Sequence, residues 1–361
     1  MASPDKNSAD IHPPIGVHGT DQLPGVTVTS YNLEIKDKDG FIGDKASGRA
    51  FRSFVRDWRV TLAEMGKDPF SEDIDAPISK KKLDKFLASG DVDAAAVVQG
   101  AIEDFAHNLA AVVKRYLTQK SWKGVSKIVV GGGLSMARVG ELAVARANAL
   151  LLAEEIKIDL KTIRHHPDEA GLLGCLHLAP SWIFAGYSGI IAIDIGGSNI
   201  RCGIVRYDAK KDSKLKLATV SPFELWRHAD EEKLGREEAV DRLVGMIQSL
   251  IEKAESEKIS IAPFVGLACP GIINPDGSIE RGAQNLPGNW EAAKFRLPER
   301  LREAIPRIGD HDTMVMMHND AVIQGLSELP WMTEIDDWAV LTVGTGLGNA
   351  SFRTRSQNAS E

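Results

Sequence analysis

A two-lobed α/β protein is the fold class that the sequence predicts, and three observations carry that expectation. Glycine-rich segments at Gly131-Gly132-Gly133, Asp194-Ile195-Gly196-Gly197-Ser198-Asn199 and Gly344-Thr345-Gly346-Leu347-Gly348 each follow a short β-rich run, so each falls where a strand turns. Stretches with helical spacing separate those runs. The chain has 361 residues, 43% hydrophobic and 26% charged, which is enough for two lobes with cores of their own.

Taken in order, Val26 to Leu33 alternates as a strand and Ser47 to Met65 reads as an amphipathic helix. Lys80 to Lys82 is a charge run, expected to be a solvated face. Val98, Ile102, Phe105, Leu109, Val113 and Leu117 recur at helical spacing and mark a long core helix from Asp91 to Leu117. The strand Lys127 to Val130 runs into the triple glycine, and Gly140 to Glu155 is the next helix. Ile190 to Ile193, Cys202 to Tyr207 and Leu217 to Val220 read as a three-strand meander with the charged turn DAKKDSKLK before its last strand. Glu237 to Lys253 is an amphipathic helix, Phe264 to Ala268 a strand into Pro270-Gly271, and Met314 to Met317 a buried strand whose methionines fill core. That strand delivers His318-Asn319-Asp320 to its C-terminal end, the edge where open α/β sheets place their chemistry. Trp338 to Val343 is the run before the last glycine segment. Residues 1 to about 26, rich in Pro, Gly, Asp and Ser, are expected to form a disordered tail.

The second and third glycine segments have the character of paired phosphate-gripping hairpins, because glycine lets backbone N–H groups crowd around a phosphate. Asp194 adds a carboxylate at the mouth of the first, the hard oxygen that a magnesium ion held through water requires. Asn319-Asp320-Ala321 suits a helix N-cap, and the same turn is a natural place to present a carboxylate. The triple glycine after a strand could open a dinucleotide fold, but Met136 stands where the third glycine of that fingerprint belongs. His165-His166 with Asp168-Glu169 could suggest a metal site; the start of a helix at Ala170 to Ala179, with acids favourable near its N-terminus, is the simpler reading.

These motifs resemble a known family. Asp194 to Gly203 (DIGGSNIRCG) and Gly344 to Gly348 (GTGLG) are similar to the two phosphate motifs of the actin-like ATPase superfamily, specifically the ROK (repressor, open reading frame, kinase) group of sugar kinases and regulators. Cys269-Pro270-Gly271, Gln284 to Trp290 (QNLPGNW) and His318 to Ala321 resemble, in the right order, that family's Pro-Gly turn, its sugar-side loop and its catalytic Asn-Asp pair. Upstream, Ser126 to Gly133 (SKIVVGGG) and Asp168 to Ala179 (DEAGLLGCLHLA) resemble the adenosine-binding turn and closing helix that normally end such a chain, whereas here only residues 349–361 follow Gly348. The resemblance therefore implies an actin-like ATPase (ribonuclease H-like) fold that is circularly permuted, joined through Pro180 to Gly189. The larger lobe would hold 27–165 plus 320–361, the smaller 166–319. Permutation is plausible because domain termini often lie close together at the surface. An unrelated N-terminal domain of about 185 residues is the alternative by the length prior.

The resemblance implies ATP-dependent phosphoryl transfer to a sugar hydroxyl, with ATP and Mg as cofactors. It assigns Asp320 as catalytic base; Asn319, Asn285 and Gly271 to the sugar; and Asp194, Gly196, Gly197, Ser198, Asn199, Arg201, Gly344, Thr345, Gly346, Gly348, Gly131, Gly132 and Gly133 to the nucleotide, with Asp194 also on Mg through water. The residue types suit the reaction, which needs a base for the hydroxyl proton and a γ-phosphate clamped in line. Two family segments have no match: the Glu-x-Gly-His stretch that holds the sugar and the cysteine-rich zinc loop. Asp44 lies near where a further sugar-side carboxylate belongs. A non-catalytic ATP- or sugar-binding regulator is the competing class.

A net charge of −7 disfavours a polyanionic partner, and no basic patch precedes the kinase-like region, so DNA-binding repressors are a poor template. The expected partner is a small-molecule sugar, with no nucleic acid and no membrane, and a second copy of the chain as the other candidate. Cys175, Cys202 and Cys269 sit far apart in apolar runs and read as buried thiols, lacking the spacing of a zinc site. No apolar stretch is long enough to span a bilayer and the N-terminus lacks a secretory pattern, so a cytoplasmic location is expected.

Overall fold

The structure, a computed structural model, describes residues 17–70 and 73–355. Two mixed sheets organise it. The first contains β1 (Gln22–Leu23), β2 (Val26–Tyr31), β5 (Lys127–Gly131), β6 (Asp159–Thr162), β14 (Asp337–Val343) and β15 (Leu347–Thr354), in spatial order β1-β2-β15-β14-β5-β6. The second contains β7 (Gly189–Ile195), β8 (Ile200–Arg206), β9 (Thr219–Trp226), β10 (Ile261–Cys269) and β13 (Met314–Asn319), in order β13-β10-β7-β8-β9. The short pairs β3 (Lys36–Asp37) with β4 (Gly40–Phe41), and β11 (Arg307–Ile308) with β12 (His311–Asp312), stand apart from both.

Strand directions make the two sheets topologically equivalent. In the second, β7 pairs antiparallel with β8 and β8 with β9, while β10 and then β13 add in parallel beside β7. In the first, β14 pairs antiparallel with β15 and β15 with β2, while β5 and then β6 add in parallel beside β14. The chain runs through the second sheet in one pass. It enters the first at the third strand of the pattern, β2, and returns to the first two strands, β14 and β15, only after finishing the other sheet. The first and last main strands are thus neighbours: Thr354 pairs with Val26, and the Arg355 N–H bonds the Gly25 carbonyl at 2.9 Å.

Eight α-helices stand among the described residues: α1 (Gly48–Ala63), α2 (Lys80–Ala88), α3 (Val92–Leu117), α4 (Arg138–Ala153), α5 (Pro167–Gly174), α6 (Arg236–Ser256), α7 (Leu297–Ala304) and α8 (Asp320–Leu326). α1, α3 and α4 bury one face of the first sheet, with Phe51, Phe105 and Leu109 among the core residues; α6 and α7 bury a face of the second through Leu243, Ile247 and Leu301. α5 and α8 lie between the sheets and cross over. α5 follows β6 of the first sheet yet packs on β7 and β8, and α8 follows β13 of the second yet packs on β14 and β15. Their crossing is close: a Cβ at Gly174 would stand 1.8 Å from the Ile323 carbonyl oxygen, so no side chain fits there. β7, with all seven residues buried, is the continuous apolar run expected of a strand covered on both faces.

Several sequence expectations change. Lys80 to Lys82 keeps its solvated face, with Lys80 and Lys81 exposed, and in addition forms the first turn of α2, capped by Ser79, with Leu83 buried against the first-sheet core. β6, α7 and β15 are elements the sequence reading does not single out; β6 and β15 are fixed by pairing with β5 and with β14 and β2, and α7 buries Leu297 and Leu301 on one face. The meander's third strand starts at Thr219 and runs on to Trp226, leaving Leu217 exposed. The expected tail extends less far than residue 26, since Leu23 is fully buried and His18 nearly so. The Gly19 N–H bonds the Met317 carbonyl at 3.0 Å and the Met317 N–H bonds His18 Nδ1 at 3.1 Å, so this segment straps the free edge of β13. Residues 1–16 of that expectation lie outside the described residues.

Candidate active site

β5 and β14 are parallel neighbours in register, Thr342 opposite Gly131, so the first and third glycine segments leave one sheet edge side by side. Gly132 has φ of +86° and a Cβ there would lie 2.5 Å from the Val343 carbonyl oxygen, so the two turns approach as only glycine permits. α1 docks onto the third segment through the Gly48 N–H, which bonds the Gly344 carbonyl at 2.9 Å. From the second sheet, the β7–β8 turn brings Gly196 to Asn199. It is closed by the Gly196 N–H on the Asn199 carbonyl at 2.8 Å and braced by buried His228, whose Nε2 lies 2.9 Å from the Gly196 carbonyl. A cavity of about 850 Å³ is lined by Gly133, Gly344 and Asn199 together, one residue from each glycine segment. Among the described residues the N–H groups of Gly197, Ser198, Thr345 and Gly346 bond no protein atom, which leaves donors on both hairpins.

Carboxylates gather at the C-terminal edge of the second sheet. Asp194 is the penultimate residue of β7 and is 2% exposed. Arg201, directly opposite on β8, reaches it at 3.1 Å through Nη1 and reaches Asp168 at the start of α5 at 2.7 Å through Nε. Burial pushes the Asp194 carboxyl above the usual carboxylate range, and Arg201 opposes that shift. The carboxyl of Asp320, the first residue of α8, is raised to about 7, chiefly by burial and then by the charge of Asp194. A carboxylate of that pKa holds and releases a proton near neutrality, as a general base must.

The neighbouring positions divide between exposed and fully occupied. Asn319 caps α8, its Oδ1 accepting from the N–H groups of Ala321 at 3.0 Å and Val322 at 3.3 Å, while its Nδ2 donates to the Gly271 carbonyl at 2.9 Å. Buried and bonded at both ends, it fixes the Pro-Gly turn to the helix that carries Asp320. His318, lowered to about 4 by burial, accepts from the Asn319 N–H on Nδ1 at 2.7 Å and donates from Nε2 to Thr20 at 3.0 Å. Asn285 is exposed, and a Cβ on Gly197 would lie 3.3 Å from its Cβ, so the 284–290 loop meets the β7–β8 turn. Thr345 and Gly346 are exposed at the tip of the third segment, and Gly348 sits on β15 opposite Thr342.

Sequence reasoning missed two features. Gln324 lies one turn beyond Asp320 on α8, and its buried Oε1 has no hydrogen-bond partner in the protein; a Cβ on Gly131 would stand 3.0 Å from it. The other is a row of arginines, Arg49, Arg52 and Arg56, which α1 presents to the cavity. The helical spacing of those arginines was visible, but their destination was set by the docking of α1 on Gly344.

No cluster of three or more ligating side chains stands among the described residues. His166 caps α5, accepting from the Asp168 N–H at 3.2 Å, and His165 packs on the Trp331 ring. Asp44 is exposed and makes no ion pair among the described residues. The three cysteines are buried and unpaired. Magnesium held through water fits Asp194: the group is a hard carboxylate with Asp168 and Asp320 close enough to shift pKa values, and Arg201 occupies one of its oxygens. No helix among the described residues is long and apolar enough to cross a membrane.

No family model matches the chain. Over 162 residues it is 27% identical to a glucokinase of Thermotoga maritima, an alignment covering 44% of this chain and 43% of that enzyme. The chain thus spans less than half the length of the curated relative it matches. Among solved structures it is similar to a protein assigned as a sugar kinase from Cytophaga hutchinsonii, at 19% identity and TM-score 0.35 over 46% of this chain and 48% of the other. It is also similar to a ROK hexokinase of Thermus thermophilus, at 22% identity and TM-score 0.27 over 37% and 35%.

Proposed function

We propose that the protein is an ATP-dependent sugar kinase of ROK type, circularly permuted, which transfers the γ-phosphoryl group to a hexose hydroxyl. One observation carries the reading: glycine turns from three distant parts of the sequence line one cavity. The carboxylate of Asp320, with pKa raised to about 7, is not among its lining residues and stands at the end of β13. The partial likeness to a glucokinase supports it. So does the sheet equivalence, since moving β2, β5 and β6 behind β15 would make both sheets run in the same strand order. Lobes of 27–165 with 320–361 and of 166–319 follow from the same rearrangement.

In the proposed mechanism the free N–H groups of the two hairpins hold the β- and γ-phosphates and oppose their growing charge. Asp194 would hold magnesium through water, and that ion, when bound, neutralises phosphate oxygens. Asn285 and the Gly271 turn position the sugar. Asp320 accepts the proton of the attacking hydroxyl as its oxygen bonds phosphorus and ADP leaves with the pair of electrons from the broken P–O bond. Asn319 acts through Asp320, holding its helix terminus in place.

A second reading, a non-catalytic regulator that binds ATP or sugar, is favoured by the complete use of the Asn319 side chain and by the Arg201 ion pair on Asp194. Coupled ADP release across hexoses, N-acetylhexosamines and polyols separates the two. Sugar-dependent turnover supports the kinase; ATP binding by calorimetry with no turnover on any acceptor supports the regulator.

A further inference from the structure

The sheet edge that carries Asp320 is held from outside its own sheet. β13 is the edge strand of the second sheet and leads through Asn319 into Asp320. Met317 turns both of its backbone groups to the free edge, and the strap takes both. Its N–H meets His18 Nδ1 at 3.1 Å and its carbonyl accepts from the Gly19 N–H at 3.0 Å. His318 Nε2 donates to the Thr20 carbonyl at 3.0 Å while Nδ1 accepts from the Asn319 N–H at 2.7 Å, so one neutral tautomer satisfies both bonds. The same segment reaches the turn after Gly271. The His18 N–H bonds the Pro275 carbonyl at 3.3 Å, and a Cβ on Gly19, at φ of +57°, would stand 2.1 Å from the Ile273 carbonyl oxygen. From the end of β2, the Tyr31 hydroxyl accepts from the Ile273 N–H and donates to the Ile273 carbonyl, both at 3.3 Å. The Tyr31 ring meets His318 edge-on, with centroids 5.2 Å apart.

An edge strand needs its free N–H and C=O groups covered, and here the cover comes from the other sheet. Residues 18–20 lead into β1, where Leu23 is fully buried and its carbonyl accepts from Arg355 just past the end of β15 at 2.6 Å. The strap thus ties β13 to the first sheet at a place separate from the crossing of α5 and α8. The groups it fixes flank the hydrogen bond from Asn319 to the Gly271 carbonyl: Met317 and His318 precede Asn319, and Ile273 and Pro275 follow Gly271. We propose that His18, His318 and Tyr31 are positioning residues that set where Asp320 and the Gly271 turn stand against a bound acceptor, without touching it. The inference rests on the kinase reading, in that Asp320 serves as base and the Gly271 turn meets the sugar. His18 and His318 act on Asp320 through the last residues of β13, and Tyr31 acts on the Gly271 turn through Ile273.

The test pairs amide exchange with steady-state kinetics on the whole protein. His18→Leu removes the acceptor for the Met317 N–H, and His18→Asn restores one, its Oδ1 replacing Nδ1. Exchange followed by NMR needs neither ATP nor sugar. Ala321 and Val322, the two amides capped by Asn319, should exchange about tenfold faster relative to Ile191 of β7 in His18→Leu and return to the wild-type ratio in His18→Asn. Sugar-dependent kcat per ATP-binding molecule should fall about tenfold in His18→Leu with the ATP dissociation constant within twofold, because a displaced base costs turnover and not donor affinity. Tyr31→Phe keeps the ring and loses the hydroxyl; it should raise the sugar KM about threefold and hold kcat, and it tests the same frame should His18→Leu not fold. Leu250→Ala opens a cavity under α6 and controls for stability: it should lower the urea midpoint and leave the exchange ratio, kcat and KM at wild-type values. The proposal is overturned if the exchange ratio is unchanged in His18→Leu, if His18→Asn fails to restore it, or if Leu250→Ala reproduces the effects. A rescued shift in exchange with no sugar-dependent turnover in wild type would keep the placement of Asp320 by the strap and remove the kinase reading. Turnover that survives His18→Leu and Tyr31→Phe unaltered would keep the kinase and remove the positioning role.

Discussion

The two sheets share one strand pattern and carry different chemistry. At the end of the first strand of the pattern, the second sheet has Asp194 opposite Arg201, whereas the first has Thr342 opposite Gly348. The hairpin that follows is Gly196 to Asn199 in one and Gly344 to Gly346 in the other. The turn after the fourth strand is Cys269-Pro270-Gly271 in one and Gly131-Gly132-Gly133 in the other. Equivalent backbone positions thus supply N–H groups without a protein partner from both sides, while the carboxylates come from the second sheet and the helices at its edge. The lesson is that backbone N–H groups come from both sheets, whereas the buried carboxylate Asp194 and its Arg201 partner come from the contiguous one.

The sharpest way to break this comparison is at the contact between the two turns of the first sheet. Gly132→Val would place a Cβ 2.5–2.7 Å from Val343 backbone atoms at φ of +86°, and should lower unfolding free energy by more than about 3 kcal/mol in urea titration. Near-normal stability there would mean the turns are not held together as described. Gly346 offers the contrast, since a Cβ there meets nothing within 4 Å. Gly346→Val should leave the unfolding free energy from urea titration within about 0.5 kcal/mol of wild type, while ATP affinity by calorimetry falls by roughly 10²-fold as the side chain enters the space a phosphate needs.

A gentler test rewires the interrupted sheet into the order of the contiguous one. Joining the termini by a flexible linker and reopening the chain between Pro180 and Gly189 should preserve the fold, with the melting temperature within about 5 °C, because the strands to be joined already lie side by side. An unfolded product would contradict the equivalence of the sheets. The smallest effect concerns Gln324. Replacing its unpartnered buried amide with leucine should raise stability by about 1 kcal/mol while weakening ATP binding, a trade-off that a purely structural side chain would not show.

Strands that run into glycine turns were legible in the sequence because both signals are local: an apolar β-rich run, then residues with no Cβ. The long α3 was legible through its period. The convergence of the three turns was legible only through family resemblance, since nothing local in Lys127 to Gly133 says that β14 will lie beside it. The strap at His18 to Thr20 was hidden because a polar, glycine-containing segment becomes ordered only by pairing with β13. The double use of the Asn319 amide was half visible: the cap follows from Asn before a helix, whereas the bond to Gly271 depends on the register of β10 with β13.

Asp320 is where the account is most exposed. Its raised pKa means that the folded protein binds a proton the unfolded chain has released, so this group's contribution to stability diminishes as pH rises from the ordinary carboxylate range through about 7. Activity should move in the opposite direction. The most direct measurement is kcat/KM against pH for wild type, with Asp320→Asn alongside and ATP affinity measured for both. The expected profile rises tenfold per pH unit to a plateau above a midpoint near 7. The variant should bind ATP almost unchanged and turn over at least about 10²-fold more slowly. A profile that is flat from pH 5 to 8, or a variant with wild-type turnover, would contradict the assignment of Asp320 as the base.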